Sequence, residues 1–190
     1  MINLMYLVFI AMMALNGSTE VLDGFELVEG SLRTSIDNST RRNELVAKEM
    51  EDYYRQNPQK VGEWIEKSRQ VKQASDSLCS YIQELKVRIV EEADGEGADV
   101  DNIDRKDDLE AASHIMLSPL TGEGKKLREA IDQYRTWMGG FIQDSLKTAV
   151  MEASLSTTPP KKAGINTRSW EEALFENMPV AASVTLLTKL

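Results

Sequence analysis

The chain has 190 residues, and its 31 acidic side chains outnumber its 22 Lys and Arg, leaving a net charge of −9 at pH 7. That balance excludes a nucleic-acid binder that works by neutralising phosphates, and the single cysteine, Cys79, excludes an intramolecular disulfide. An apolar fraction of 42% is enough for one core of ordinary size beyond the N-terminal segment.

The first element is apolar without interruption from Leu4 to Leu15, which falls short of the roughly 20 residues a helix needs to cross a bilayer. A crossing helix must therefore take in Asn3, Asn16, Ser18, Thr19 and Glu20. A carboxyl facing lipid costs about 2.5–3.5 kcal/mol, so Glu20 is expected to face protein, a water-filled cavity or the interface. At 100° per residue Tyr6, Met13 and Glu20 are heptad neighbours, with Asn3 and Asn16 towards the same side. Glu20, Tyr6, Asn3 and Asn16 are thus the candidate contacts in the membrane. The plainer alternative puts Glu20 at the outer interface beside Asp23 and Glu26, makes Tyr6 an interfacial anchor, and pairs the polar groups between two copies of the helix. A cleaved signal peptide fits less well. No basic residue precedes the apolar run, and Leu15-Asn16-Gly17 is a poor cleavage site.

From Ser31 to Asn57 helical spacing continues through Leu32, Ile36, Leu45, Val46, Met50, Tyr53 and Tyr54, and Pro58 ends it. Only Gly17, Gly24 and Gly30 interrupt the pattern upstream, so one long helix is expected to run from the bilayer into the body, bent if anywhere at a glycine. A second helix is predicted from Gln59 to Glu92, with Val61, Trp64, Ile65, Val71, Leu78, Ile82, Leu85 and Ile89 as its buried stripe. Cys79 beside that stripe reads as a small, partly buried hydrophobe rather than a reactive thiol.

Residues 93–108 read as a solvated acidic loop. As a calcium loop starting at Asp99 it offers Asp101, Asp107 and Glu110, yet Asp104 stands where the sharp turn needs glycine. A short helix from Asp107 to Ser118 carries the only histidine, and Glu110 and His114 at i, i+4 make a surface pair rather than a metal site. Thr121-Gly-Glu-Gly-Lys-Lys lacks the spacing of a phosphate loop and reads as a turn opening a third long helix, with Leu127, Ile131, Tyr134, Trp137, Phe141, Leu146 and Val150 on its apolar face. Gly139 and Gly140 in its middle cost about 1 kcal/mol each, which predicts a kink or a close helix contact.

Ser154 to Thr167 reads as an exposed connection. Ser169 and Glu172 then form a capping box for a helix that buries Trp170, Leu174, Phe175 and Met178, and Pro179 opens a final helix whose small residues permit close packing. The fold class is all-α, an N-terminal transmembrane helix leading into a bundle of about four helices. No nucleophile with a base, metal set or nucleotide cradle stands out. The chain reads as a non-enzyme with no cofactor and no nucleic-acid partner.

The opening MINLMYLVFIAMMALNGSTEVLDGFELVEGSL, with LSPLTGEGKKLREAIDQYR and SWEEALFENMPVAASVTLLTKL, resembles the GldM/PorM family of the type IX secretion and gliding machinery over essentially the whole chain. The resemblance implies a single-pass inner-membrane protein with its body in the periplasm. This overrides the charge rule, because Arg33, Arg41 and Arg42 after the span would weakly favour the opposite orientation. It further implies a homodimer whose membrane helices, in contact with lipid, are ringed by the multi-pass partner GldL/PorL, with a proton-driven motion passed outward to other periplasmic components. On this reading residues 1–30 are the membrane helix and its extension, 31–178 the helical bundle, and 179–190 the start of a helix leading to further domains. Family members also carry a basic segment before the membrane helix, so the chain reads as a piece of a longer protein. A membrane-anchored helical sensor and a secreted helical binding protein are the competing classes.

Overall fold

The computed structural model describes residues 2–142, 144–159 and 168–190, with side chains from Thr19 onward. The described residues form seven helices: α1 (Ile2–Gln56), α2 (Pro58–Asp94), α3 (Ala111–Leu117), α4 (Glu123–Gly139), α5 (Ser145–Ser154), α6 (Trp170–Phe175) and α7 (Val180–Lys189). No strand occurs among them. The all-α expectation holds, and α1 is one helix of 55 residues that passes through Gly17, Gly24 and Gly30 without a break. Among the described residues no helix is long and apolar enough to cross a membrane. The apolar run Leu4–Leu15 lies outside the described side chains.

Pro58 both ends α1 and opens α2. It cannot donate a backbone hydrogen bond, a loss that does not matter in the first turn of a helix. The chain therefore turns back within two residues, and α2 runs antiparallel to α1, with Arg69 Nη2 on Glu51 Oε1 at 2.8 Å. The core lies at the far end of α2, where Ile82, Leu85, Ile89, Val90 and Ala93 are buried against α3, α4 and α7. Leu127 and Ile131 of α4, Phe175 of α6, and Val180, Val184 and Leu187 of α7 complete it.

The close packing predicted for the final helix is present: Ala181, Ala182, Ser183 and Thr185 of α7 are buried as well. The small side chains let α7 approach α1 and α2 together. The capping box of α6 is formed, with Ser169 Oγ accepting from Glu172 N and Glu172 Oε2 accepting from Ser169 N at 2.8 Å. It presents Trp170 and Phe175 to the core, edge to face at 6.2 Å.

Several expectations are corrected. The third long helix is two, because α4 stops at Gly139 and α5 starts afresh on Asp144, whose side chain caps Leu146 N and Lys147 N. Leu146 and Val150 consequently point to solvent, and α5 buries nothing. Trp64, placed in the α2 stripe, is 62% exposed, since the core cluster begins at Ile82, about five turns further along. Cys79 is exposed rather than partly buried. Glu110 and His114 do not pair through their side chains; Glu110 stands at the N-cap position of α3, where Asp108 Oδ1 accepts from Glu110 N and Ala111 N, and His114 Nδ1 meets Glu92 Oε1 of α2 at 3.0 Å.

The acidic segment 95–108 is largely exposed, as expected of a solvated loop, but it is tied to the body. Asp94 accepts from Asp104 N and Arg105 N, each at 2.8 Å, and Arg105 Nη1 donates to Ala93 O. Val180 N and Ala181 N donate to Asp108 O and Lys106 O, and Val100 and Ile103 pack against the core. Its acidic composition concealed these two apolar anchors. Gly95 and Gly97, with φ of 105° and 80°, supply the left-handed turns that bring the segment back.

Candidate functional site

The element that runs on from the apolar N-terminus meets the body over a short stretch. Leu22, Phe25, Glu29, Leu32 and Arg33 of α1 are half-buried, whereas residues 34–46 are all exposed. The spacing of the first four is that of a helix face, i, i+3, i+7 and i+10, so Glu29 occupies a position where an apolar residue would be ordinary. Lys86 occupies the matching position on α2, within the stripe Ile82, Leu85, Ile89 and Ala93.

The two meet. Glu29 Oε1 lies 3.3 Å from Lys86 Nζ and accepts from Thr188 Oγ1 at 2.7 Å and Arg33 Nε at 3.0 Å. Lys86 Nζ in turn donates to Thr188 Oγ1 at 2.7 Å. Three helices, α1, α2 and α7, thus share one polar node in which the Lys86 side chain is 6% and the Glu29 side chain 12% exposed. Burial pulls the Lys86 ammonium below the ordinary lysine range, against the opposing pull of Glu29. Glu29 Oε2 is buried and has no hydrogen-bond partner among the described residues.

The segment 95–108 closes the same face. Asp101 pairs with Arg33, and Lys106 pairs with Glu26. These groups line a cavity of about 200 Å³ between α1, the segment and α7, with Val100, Ile103, Val184 and Thr185 as its apolar and hydroxyl walls. A buried ion pair adds little net stability over an apolar pair, because desolvation consumes the Coulomb gain, but removing one partner costs about 3–5 kcal/mol. The node therefore specifies how α1 sits more than how strongly.

A second polar cluster lies on the opposite side of α2. Glu123, 7% exposed at the start of α4, accepts from Tyr81 Oη at 2.7 Å and pairs with Arg88 and Lys126 at 3.2 Å. Burial pushes its carboxyl up, yet the Tyr81, Lys126 and Arg88 hydrogen bonds outweigh that and hold it below the usual glutamate range. Burial and the same carboxylate drive the Tyr81 phenol up. This cluster ties α4 to α2 and lies away from α1. No group of three His, Cys, Asp or Glu able to hold a metal occurs among the described residues.

Of the residues singled out in the sequence, Glu20 is exposed on α1. Tyr6, Asn3 and Asn16 lie outside the described side chains, and the expected grouping of the four lies outside them as well. Glu29 and Lys86 were missed, although each was detectable as a lone charge inside an apolar helix face, with opposite signs on adjacent helices. No curated protein matches the chain. A family model described as the GldM N-terminal domain matches residues 20–190, which takes in the α1 joint, the bracing segment and every helix of the core. The body and the helix that enters it match as one unit, and the chain belongs to the GldM family.

Proposed function

We propose that this chain is the transmembrane shaft of a motor driven by the proton motive force, carrying motion from the inner membrane to the periplasm. Its family is a component of the gliding motility and type IX secretion machinery. The observation that carries the reading is the continuity of α1, which is one helix from Ile2 to Gln56 and, among its described side chains, is first gripped by the body at residue 22. At 1.5 Å per residue it is about 80 Å long, and a helix transmits rotation or displacement without a hinge unless its hydrogen-bond ladder is interrupted. The role is mechanical rather than enzymatic.

In this reading residues 1–30 comprise the membrane helix and its extension, 31–178 the periplasmic bundle, and 179–190 a helix continuing towards further domains. Glu20, with Tyr6, Asn3 and Asn16, contacts a GldL/PorL ring in the membrane, and lipid covers the remainder. A homodimer is supported by the free face of α1, where Val21 and Val28, and further along Val46 and Tyr53, are exposed at heptad spacing. Other secretion and gliding components receive the motion in the periplasm.

The test is an insertion between Val21 and Leu22 of the full-length protein restored to its cells. A seven-residue helical insertion returns the helix to within about 20° of its original azimuth and should preserve secretion and gliding. A flexible Gly-Ser insertion of equal length should leave ring assembly intact and stop both. Normal secretion with the flexible insertion would refute the shaft.

A further inference from the structure

The attachment of α1 to the body differs in kind from the packing of the core helices. None of the described residues of α1 belongs to the buried core, whereas α2, α3, α4, α6 and α7 all contribute to it. What α1 contributes is the half-buried Leu22, Phe25 and Leu32 and, between them, a row of charge. Glu26, Glu29 and Arg33 follow one another at i, i+3 and i+7, and each is paired to a different part of the body: Lys106, the Lys86–Thr188 node, and Asp101.

The segment that supplies Asp101 and Lys106 is itself fixed to the body. Its far half is bound through Asp94, Arg105 and Asp108 to the end of α2 and the start of α7, with backbone hydrogen bonds of 3.0 and 3.2 Å to Val180 and Ala181. Its grip on α1 is by ion pairs, Asp101 being 68% and Lys106 31% exposed. Such pairs are directional and specific in register, yet individually weak and screened by salt. One step of α1 along its axis, or one residue of rotation, breaks them all together.

We propose that residues 95–108 form a charged bracket that holds α1 in a single register on the body, and that α1 leaves the bracket as a unit while the core stays folded. No α1 side chain belongs to the core cluster, so release uncovers the half-buried Leu22, Phe25 and Leu32 and the α7 face beside them while the contacts within the cluster remain. The bracket is a property of the body alone; its use in passing on motion rests on the shaft reading.

Hydrogen exchange of the full chain in detergent tests it, with Asp101→Asn and Lys106→Gln combined so that no core residue is altered. Exchange of amides in 22–33 should rise about five- to tenfold, while 82–93 in α2 and 180–187 in α7 keep their protection. Raising the salt from about 0.05 to 0.5 M should have the same local effect on the unaltered chain and little on the double variant. Unchanged protection in 22–33, or an equal rise throughout the body, would overturn the bracket.

The converse variant joins Glu29→Leu to Lys86→Met, replacing the buried pair by apolar side chains of similar size. Exchange in 22–33 should then slow. In cells the same variant should assemble yet secrete and glide poorly. Slowed exchange with normal movement would leave the bracket standing and overturn its mechanical use, so the two failures are distinguishable.

Discussion

Gly124 is where the body has the least room. It sits in the first turn of α4, buried between α3 and α6, and a Cβ built there would lie 2.7 Å from Met116 O and 2.8 Å from Glu171 Cβ. The first neighbour is backbone at the end of α3, and the second belongs to a helix held by its capping box, so neither yields without moving an element. Overpacking of this kind costs about 1–3 kcal/mol, and alanine recovers at most about 1 kcal/mol of helix propensity. Gly124→Ala should therefore destabilise the body by about 1–2 kcal/mol. Gly139 is the internal control, since a Cβ there meets nothing within 4 Å and its φ is not positive. Gly139→Ala should be neutral or stabilise by up to about 1 kcal/mol. Thermal unfolding of the full chain in detergent, followed by helical circular dichroism, measures both. A Gly124→Ala protein as stable as the Gly139→Ala protein would refute the close contact of α3, α4 and α6.

Glu20→Gln and Glu20→Ala in the full-length protein are expected to assemble with the ring but to lose secretion and gliding; two fully active variants would make Glu20 an interfacial residue and nothing more. The Glu123 carboxyl is held below its usual range, so its stabilisation is present in full above the unfolded value near 4.5 and is lost as pH falls through the lower folded value. Glu123→Gln should accordingly be less stable than the parent by about 1–3 kcal/mol at pH 7, with the gap closing on acidification; denaturant midpoints at pH 7, 5 and 3 measure it. His114 is raised by its hydrogen bond to Glu92, which makes that pair strongest at acid pH and lost as pH rises through the folded value. In Glu92→Gln the histidine should titrate at lower pH, as read by proton NMR.

The sequence by itself determined the elements whose causes are local. The end of the first helix at Pro58 and the capping box of Ser169 with Glu172 are read from neighbours in the chain and appear where expected, as does the apolar spacing of Ile82, Leu85 and Ile89. The continuity of α1 was legible for the same reason, since nothing in it breaks a helix. The family, too, followed from the quoted stretches of sequence alone.

Only the tertiary structure decided how these elements meet. Glu29 reaches Lys86 across 57 residues and Thr188 across 159, and no periodicity within one helix says which charge on another will face it. Segment 95–108 reads as solvated because its composition is acidic, yet Val100, Ile103 and its backbone hydrogen bonds to α7 hold it in place. The glycine pair at 139–140 signalled a disturbance but not its kind: α4 ends at Gly139, and Asp144 caps a separate helix. A desolvated charge is favourable only when its partner arrives from elsewhere in the chain, and that arrival is a property of packing.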